Sequence, residues 1–307
     1  MPLSFPVEKE GFVVAPFSPL CHPEFYPTED HLNKIPANII TVNHNDFKFH
    51  IHSKVEYEDY VKRILVSLGG NEEHKVVASR RNIISWGSDP VSMFETLCAA
   101  YPDAFVFFLS LKGHGTWIGA SPELLLEKRG DRLSTMSLAG TRLSDTVGPW
   151  DHKNIKEQRI VTEHIYRVFE KYLHGVVESP ATTRKAGNIE HLMTTITGEG
   201  NSKTNILSLL EELSPTPALC GYPREKALET IYREEGNRRL YGGFCGPISE
   251  NGDFRFNVVL RCAFLYPDGK AILFAGGGIT SHSAPELEWE ETERKLNTLR
   301  DALGKNF

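Results

Sequence analysis

The chain has 307 residues, is 40% hydrophobic and 24% charged, and carries a formal net charge of −6. This is the size of one large domain or two small ones with ordinary globular composition, and the negative balance gives no support to nucleic-acid or anionic-membrane binding. An anionic ligand therefore needs a local cluster of positive groups.

In chain order, residues 1 to about 50 are rich in Pro and His without sustained periodicity and read as irregular surface chain. Met1 to Glu10 lacks the basic-then-apolar pattern of a secretion signal. A strand is predicted over Lys75–Ser79, a helix over 91–100 and a strand over Ala104–Leu111, where the apolar run is far too short to span a bilayer. Strands follow over Leu124–Lys128 and Leu133–Leu138, then helices over 152–173, 204–213 and 223–235. Phe244–Ile248, Phe254–Phe264 and Ala271–Ala275 read as strands, and 285–303 as a final helix. Strands cluster with helices inserted between them, which predicts an α+β fold with antiparallel sheets. Cys21, Cys98, Cys220, Cys245 and Cys262 are scattered, odd in number and never in a C-x-x-C pair. That excludes a disulfide framework or zinc ribbon and predicts a cytoplasmic protein.

Two helices carry carboxylates in awkward places. In the 152–173 helix, Ile155, Val161, Ile165, Val168 and Tyr172 define an apolar side, and Glu157, four residues before Val161, falls on it. A carboxylate there is costly unless it is paired or bound to a metal. In the last helix, which starts near Pro285, the apolar stripe is Trp289, Leu296, Leu299 and Leu303. Glu288, Glu291 and Lys295 form one line along its flank. A divalent cation between Glu157 and Glu291 explains both anomalies, and all-oxygen ligation favours Mg²⁺ over zinc. Salt bridges and a solvated acidic face explain them equally well.

Gly276, Gly277 and Gly278 follow a strand and lead by a short loop to the acidic helix, so their backbone N–H groups can approach an anion. A tight turn is the simpler account. Arg261 stands among apolar neighbours in VVLRCAF, a strand position where a guanidinium usually grips a carboxylate. Together these groups could hold a small polycarboxylate.

At these same residues the chain resembles the chorismate-utilising enzymes, which comprise isochorismate, salicylate, anthranilate and aminodeoxychorismate synthases. The matching strings include KVVASR (75–80), GASPELLL (119–126), SLAGTR (137–142), KNIKEQRIV (153–161), EHL (190–192), SPTPALCGYP (214–223), YGGFCG (241–246), VVLRCA (258–263) and FAGGGIT with PELEWEET (274–292). The resemblance implies one catalytic domain over 1–307, with residues 1–70 a shortened N-terminal part and the active site between antiparallel sheets flanked by helices. It implies Lys75 as general base, Glu123 as general acid, and Glu157 and Glu291 as Mg²⁺ ligands with Glu288 behind them. Arg261 and Tyr241 match groups that bind a substrate carboxylate, and Gly276 and Gly278 match backbone donors to it. Lys295, His191, Gly140, Thr141, Ala218 and Leu219 match positions lining the pocket.

Three positions discriminate among members. Anthranilate synthases lack a lysine where Lys75 stands, and aminodeoxychorismate synthases resemble P-I-K-G-T where this chain has Ala139. Ala218, in T-P-A-L, is similar to isochorismate synthases; anthranilate and some salicylate synthases place Thr there. The resemblance therefore points to isochorismate synthase, with salicylate synthase as the alternative and a silent chorismate-binding relative as a third reading. It implies chorismate and Mg²⁺ as ligands, no glutaminase subunit, a monomer or homodimer, and a product serving a quinone or a catechol siderophore. In that chemistry water attacks C2 while the C4 hydroxyl leaves. Lys75 must then be neutral and Glu123 protonated, and burial favours both neutral forms.

Overall fold

The computed structural model describes residues 9–28, 47–87, 89–186 and 189–303; nothing is said of Thr298 and Leu303 beyond their place in the last helix. The described chain opens with β1 (Gly11–Ala15) and β2 (Glu24–Pro27), followed by α1 (Lys54–Leu68). Next come β3 (Lys75–Ser85), α2 (Pro90–Ala100), β4 (Phe105–Leu111) and β5 (Gly115–Ser121). β6 (Leu124–Arg129) and β7 (Arg132–Leu143) precede the long α3 (His152–Tyr172). β8 (His174–Glu178), β9 (Thr182–Ala186), β10 (Ile189–Glu199), α4 (Ile206–Leu213), β11 (Gly221–Tyr222) and α5 (Arg224–Glu235) follow. The chain finishes with β12 (Phe244–Ile248), β13 (Phe254–Val258), β14 (Cys262–Leu265), β15 (Lys270–Ile279) and α6 (Pro285–Leu303).

Among the described residues the strands form two antiparallel sheets. One has nine strands, in the order β2-β1-β12-β13-β6-β7-β10-β8 with β9 also on β10; the other runs β11-β3-β15-β14-β5-β4. The expected α+β fold with antiparallel sheets is the one seen. Residues adjacent in a strand face opposite sides, and here they feed different cores. Val13, Phe244 and Val258 join the core under α3 and α4, while Val14, Cys245 and Val259 join a second core with Trp117, Phe264 and Phe274 of the smaller sheet. That second core glues the sheets face to face. The outer face of the smaller sheet is covered by α2 and α6 through Leu97, Leu296 and Leu299, and by α1 and α5 through Val61, Ile64 and Ile231.

Several expectations need correction. The N-terminal stretch is not all irregular: β1 and β2 close one edge of the larger sheet, with β1 in register against β12 from Gly11↔Ile248 to Ala15↔Phe244. The other part of that stretch, residues 1–8 and 29–46, lies outside the described residues. The single strand expected over 254–264 is two, because the chain leaves the larger sheet after Val258 and joins the smaller at Cys262. Arg261 lies in that crossing with φ 46°, not in a strand. The triple glycine is neither loop nor turn; Gly276–Gly278 pair with Ser79, Ala78 and Val77 inside β15. Ile155 does not belong to the apolar side of α3, being 50% exposed.

Candidate active site

A cleft opens between the two sheets, enclosing about 720 Å³ of space with open solvent included. Its walls include Glu123, Gly140, Thr141, Glu157, His191, Ala218, Leu219, Tyr241, Arg261, Gly276, Gly278 and Lys295, so twelve of the fifteen residues singled out in the sequence meet there. Lys75, Glu288 and Glu291 stand immediately behind that lining. Lys75 opens β3, is 1% exposed, and its Nζ pairs with Glu157 Oε1 at 2.9 Å. Glu291 accepts from Lys295 Nζ at 2.7 Å and Glu288 from Lys153 Nζ at 2.6 Å. Each acidic group thus has its own lysine. Lys153, at the start of α3, is the one such residue that sequence reasoning passed over; it sits inside the matched KNIKEQRIV string.

The glycines let these side chains meet the strand. A Cβ on Gly278 would lie 2.3 Å from Glu157 Oε1 and 2.5 Å from Lys75 Cε; one on Gly277 would lie 3.0 Å from Glu288 Oε2 and 3.5 Å from Glu291 Oε1. Consecutive strand residues point to opposite faces, so Glu157 approaches β15 from the cleft and the α6 carboxylates from behind. β14 pairs with β15 only through Ala271–Leu273, which leaves one edge of Gly276–Gly278 without a strand neighbour among the described residues. The N–H groups of Val77 and Ser79 turn away from β15, to Cys220 O and Glu235 Oε1. Their partners Gly278 and Gly276 therefore turn their own N–H and C=O groups toward the open edge. Lys295 Nζ already donates to Gly276 O there, at 2.7 Å.

On the opposite wall, β7 and β10 slip register: Glu190 faces Arg142 and Leu192 faces Ala139, so Gly140 and Thr141 oppose His191 alone. Such a bulge re-aims a side chain. His191 Nδ1 lies 2.9 Å from Gly140 O, a carbonyl that can only accept, so Nδ1 carries the proton and Nε2 accepts from Arg261 Nη2 at 3.2 Å. Burial, then the nearby Arg261 and Lys295, push His191 down to about 3, which keeps it neutral. Tyr241 stacks on Phe274 with ring centroids 5.2 Å apart and aims its hydroxyl at Gly276.

Glu123 follows Ser121-Pro122 at the β5–β6 junction, 3% exposed, its backbone held by Val258 N and Asn257 Nδ2. Burial raises its carboxyl to about 8 despite the opposing charges of Lys75 and Lys295. It is a carboxylic acid at neutral pH. Burial and the neighbouring Glu291 also raise Glu288. Burial acts the same way on Glu291, but Lys295 and Lys153 outweigh it and hold that group down to about 2.

This carboxylate set fits a hard divalent cation. Glu288 is buried, yet among the described residues its Oε2 has no hydrogen-bond partner, and the donors are all oxygen, as Mg²⁺ requires. Among the described residues no three ligand-type side chains converge as a formed metal centre, each of the three carboxylates being paired with a lysine.

The Chorismate binding enzyme family profile matches residues 28–304. The chain belongs to that family. This member of the chorismate-binding enzymes is 34% identical over 268 residues to isochorismate synthase EntC of Escherichia coli, covering 83% of this chain and 68% of that protein. It is 32% identical to isochorismate synthase MenF of Bacillus subtilis, covering 82% of this chain and 56% of the relative. The solved structure of Bacillus anthracis DhbC, a protein assigned as a 2,3-dihydroxybenzoate-specific isochorismate synthase, superposes with a TM-score of 0.78 at 25% identity, over 97% of this chain and 84% of that one. No helix among the described residues is long and apolar enough to cross a membrane.

Proposed function

We propose that the protein is an isochorismate synthase, moving the hydroxyl of chorismate from C4 to C2 with water as nucleophile. The reading is carried by Glu123, a buried carboxyl still protonated at neutral pH, in a cleft lined by Arg261 and Lys295 with buried Lys75 just behind the wall. A proton donor of this kind suits a leaving hydroxyl. Lys75 is the base that takes a proton from the attacking water, and its ion pair with Glu157 must open first. Arg261, oriented by neutral His191, and Tyr241 receive one substrate carboxylate, with the outward N–H groups of Gly276 and Gly278 beside them. Glu157 and Glu291 would hold Mg²⁺, with Glu288 behind. When bound, the ion supplies Lewis-acid neutralisation of the ring carboxylate. Ala218 and Ala139 favour isochorismate over salicylate or an aminated product.

The test is incubation with chorismate and Mg²⁺ followed by chromatography of the products. Isochorismate formed reversibly, without need of ammonia or glutamine, is the expected result. Salicylate with pyruvate as the main products would overturn the choice of reaction.

A further inference from the structure

Asn154 stands in the first turn of α3, 7% exposed, three residues after the Asp151 cap. Glutamate or glutamine in that position usually folds back on the cap backbone, but this amide is engaged elsewhere. Its Nδ2 donates to Asp151 Oδ2 at 2.7 Å, and its Oδ1 accepts from Thr141 N on β7 at 2.9 Å. A carboxylate at one end and an N–H at the other fix which end of the amide is oxygen. Thr141 N shares its peptide group with Gly140 O, the atom that accepts from His191 Nδ1 at 2.9 Å. A trans peptide holds its N–H and C=O in one plane, pointing opposite ways. Asn154 therefore grips one end of the plane whose other end orients His191. Gly140 has φ 74° and no side chain to resist, so without that grip the plane is free to turn over. The helix comes close enough to impose it, since a Cβ on Gly140 would lie 3.1 Å from Asn154 O.

We infer that Asn154 is a positioning residue for Arg261, acting through the Gly140–Thr141 peptide and His191. Every bond in the series donates in one direction: Arg261 Nη2 to His191 Nε2 at 3.2 Å, His191 Nδ1 to Gly140 O, Thr141 N to Asn154 Oδ1, and Asn154 Nδ2 to Asp151 Oδ2. The series runs from a guanidinium to a carboxylate, an order in which aligned hydrogen bonds reinforce one another. Turning the peptide over would present an N–H to His191 Nδ1 and move the ring proton to Nε2, where it would meet an Arg261 N–H donor head-on. The inference rests on the proposed function only in taking Arg261 as the group that receives a chorismate carboxylate; the aim of His191 does not depend on the ligand.

The experiment has two readouts. Ring ¹⁵N chemical shifts of His191, assigned by the signal lost in His191→Gln, report which nitrogen holds the proton. Titration calorimetry with Mg²⁺ reports chorismate affinity in a Glu123→Gln background that turns over too slowly to consume the ligand. In the unaltered protein the proton sits on Nδ1. Asn154→Leu keeps the volume but not the acceptor; it should put the proton on Nε2 in a large share of molecules and weaken chorismate binding about tenfold, the worth of one misaimed hydrogen bond to a charged group. With Glu123 restored, the same substitution should raise KM with kcat changed less than about threefold. The paired exchange Asp151→Asn with Asn154→Asp reverses the amide contact while keeping an acceptor for Thr141 N, so it should hold the Nδ1 proton and the affinity to within about twofold of the unaltered protein. Asn154→Asp alone sets two carboxylates together and should not, a comparison that stands even where Asn154→Leu does not fold. An Nδ1 proton with native affinity in Asn154→Leu overturns the positioning role. A folded exchange variant that recovers neither readout also overturns it, since Asn154 then acts by packing. Failure of the unaltered protein to bind chorismate overturns the proposed substrate, and the His191 signal then decides the positioning role on its own.

Discussion

Replacing Glu123 with glutamine should make the protein more stable in alkali and almost inactive. The folded carboxyl titrates at about 8, against 4.5 for an unburied glutamate, with burial as the main cause. Below pH 4.5 both folded and unfolded chains hold this proton, and the group does not influence stability. Between 4.5 and 8 only the folded chain keeps it, so stability falls as pH rises through that window. Above 8 the full loss is reached, ~5 kcal/mol at about 1.4 kcal/mol for each pH unit. Glutamine fills the same space and does not titrate. Urea unfolding from pH 5 to 9 should show the variant gaining on wild type steadily with pH. At pH 7 the native group is about nine-tenths protonated, so kcat/KM should fall on a basic limb near 8, and that limb should vanish from the residual activity of the variant. The residual should be lower by about two to four orders of magnitude. Parallel stability curves for the two proteins would refute the claim that burial holds this proton.

Lys75→Ala should cost about two to four orders of magnitude in kcat with little change in chorismate affinity measured by calorimetry; normal turnover removes Lys75 from the base role. Lys153→Met releases Glu288 Oε1 from its 2.6 Å partner and should weaken Mg²⁺ binding about 10- to 100-fold, the usual cost of losing a group that orients a ligand; equal or tighter binding by calorimetry contradicts this. Gly278→Ala pushes only the flexible ends of Glu157 and Lys75, so the melting temperature should hold while kcat falls by about 10²-fold. Gly221→Ala meets the Lys75 carbonyl at 2.1 Å with φ +123° and should instead destabilise the fold by about 1–3 kcal/mol.

Much of the cleft was legible because its residues break local rules. Glu157 beside an apolar stripe and three glycines in a row announce themselves, while Glu123 and Lys75 look ordinary until matched strings supply their roles. Five helices were visible from periodicity, but α1 was passed over although its Ser53–Glu56 capping box and Gly69 stop are both sequence signals. β5 hid because Gly115 and Gly119 dilute its apolar character; Gly119 is required where a Cβ would meet Arg261 O at 2.8 Å. β10 hid because the threonines of HLMTTIT, two of them adjacent, break the apolar alternation that marks a strand. Lys153 was invisible because its importance is a tertiary distance. The switch of sheets at Arg261 likewise has no local signature, since VVLRCAF reads as one uninterrupted strand.

The open edge of β15 at Gly276–Gly278 has a consequence for dynamics. A strand lacking a neighbour leaves amides that exchange with solvent and a backbone that waits for a partner. A substrate whose carboxylate takes those N–H groups would do what a further strand would have done there, completing the ladder along that edge of β15. Ligand binding and sheet completion would then be the same event, and amide hydrogen exchange at Gly276 and Gly278 should slow on adding chorismate while their β3 partners, whose N–H groups are already engaged, change little.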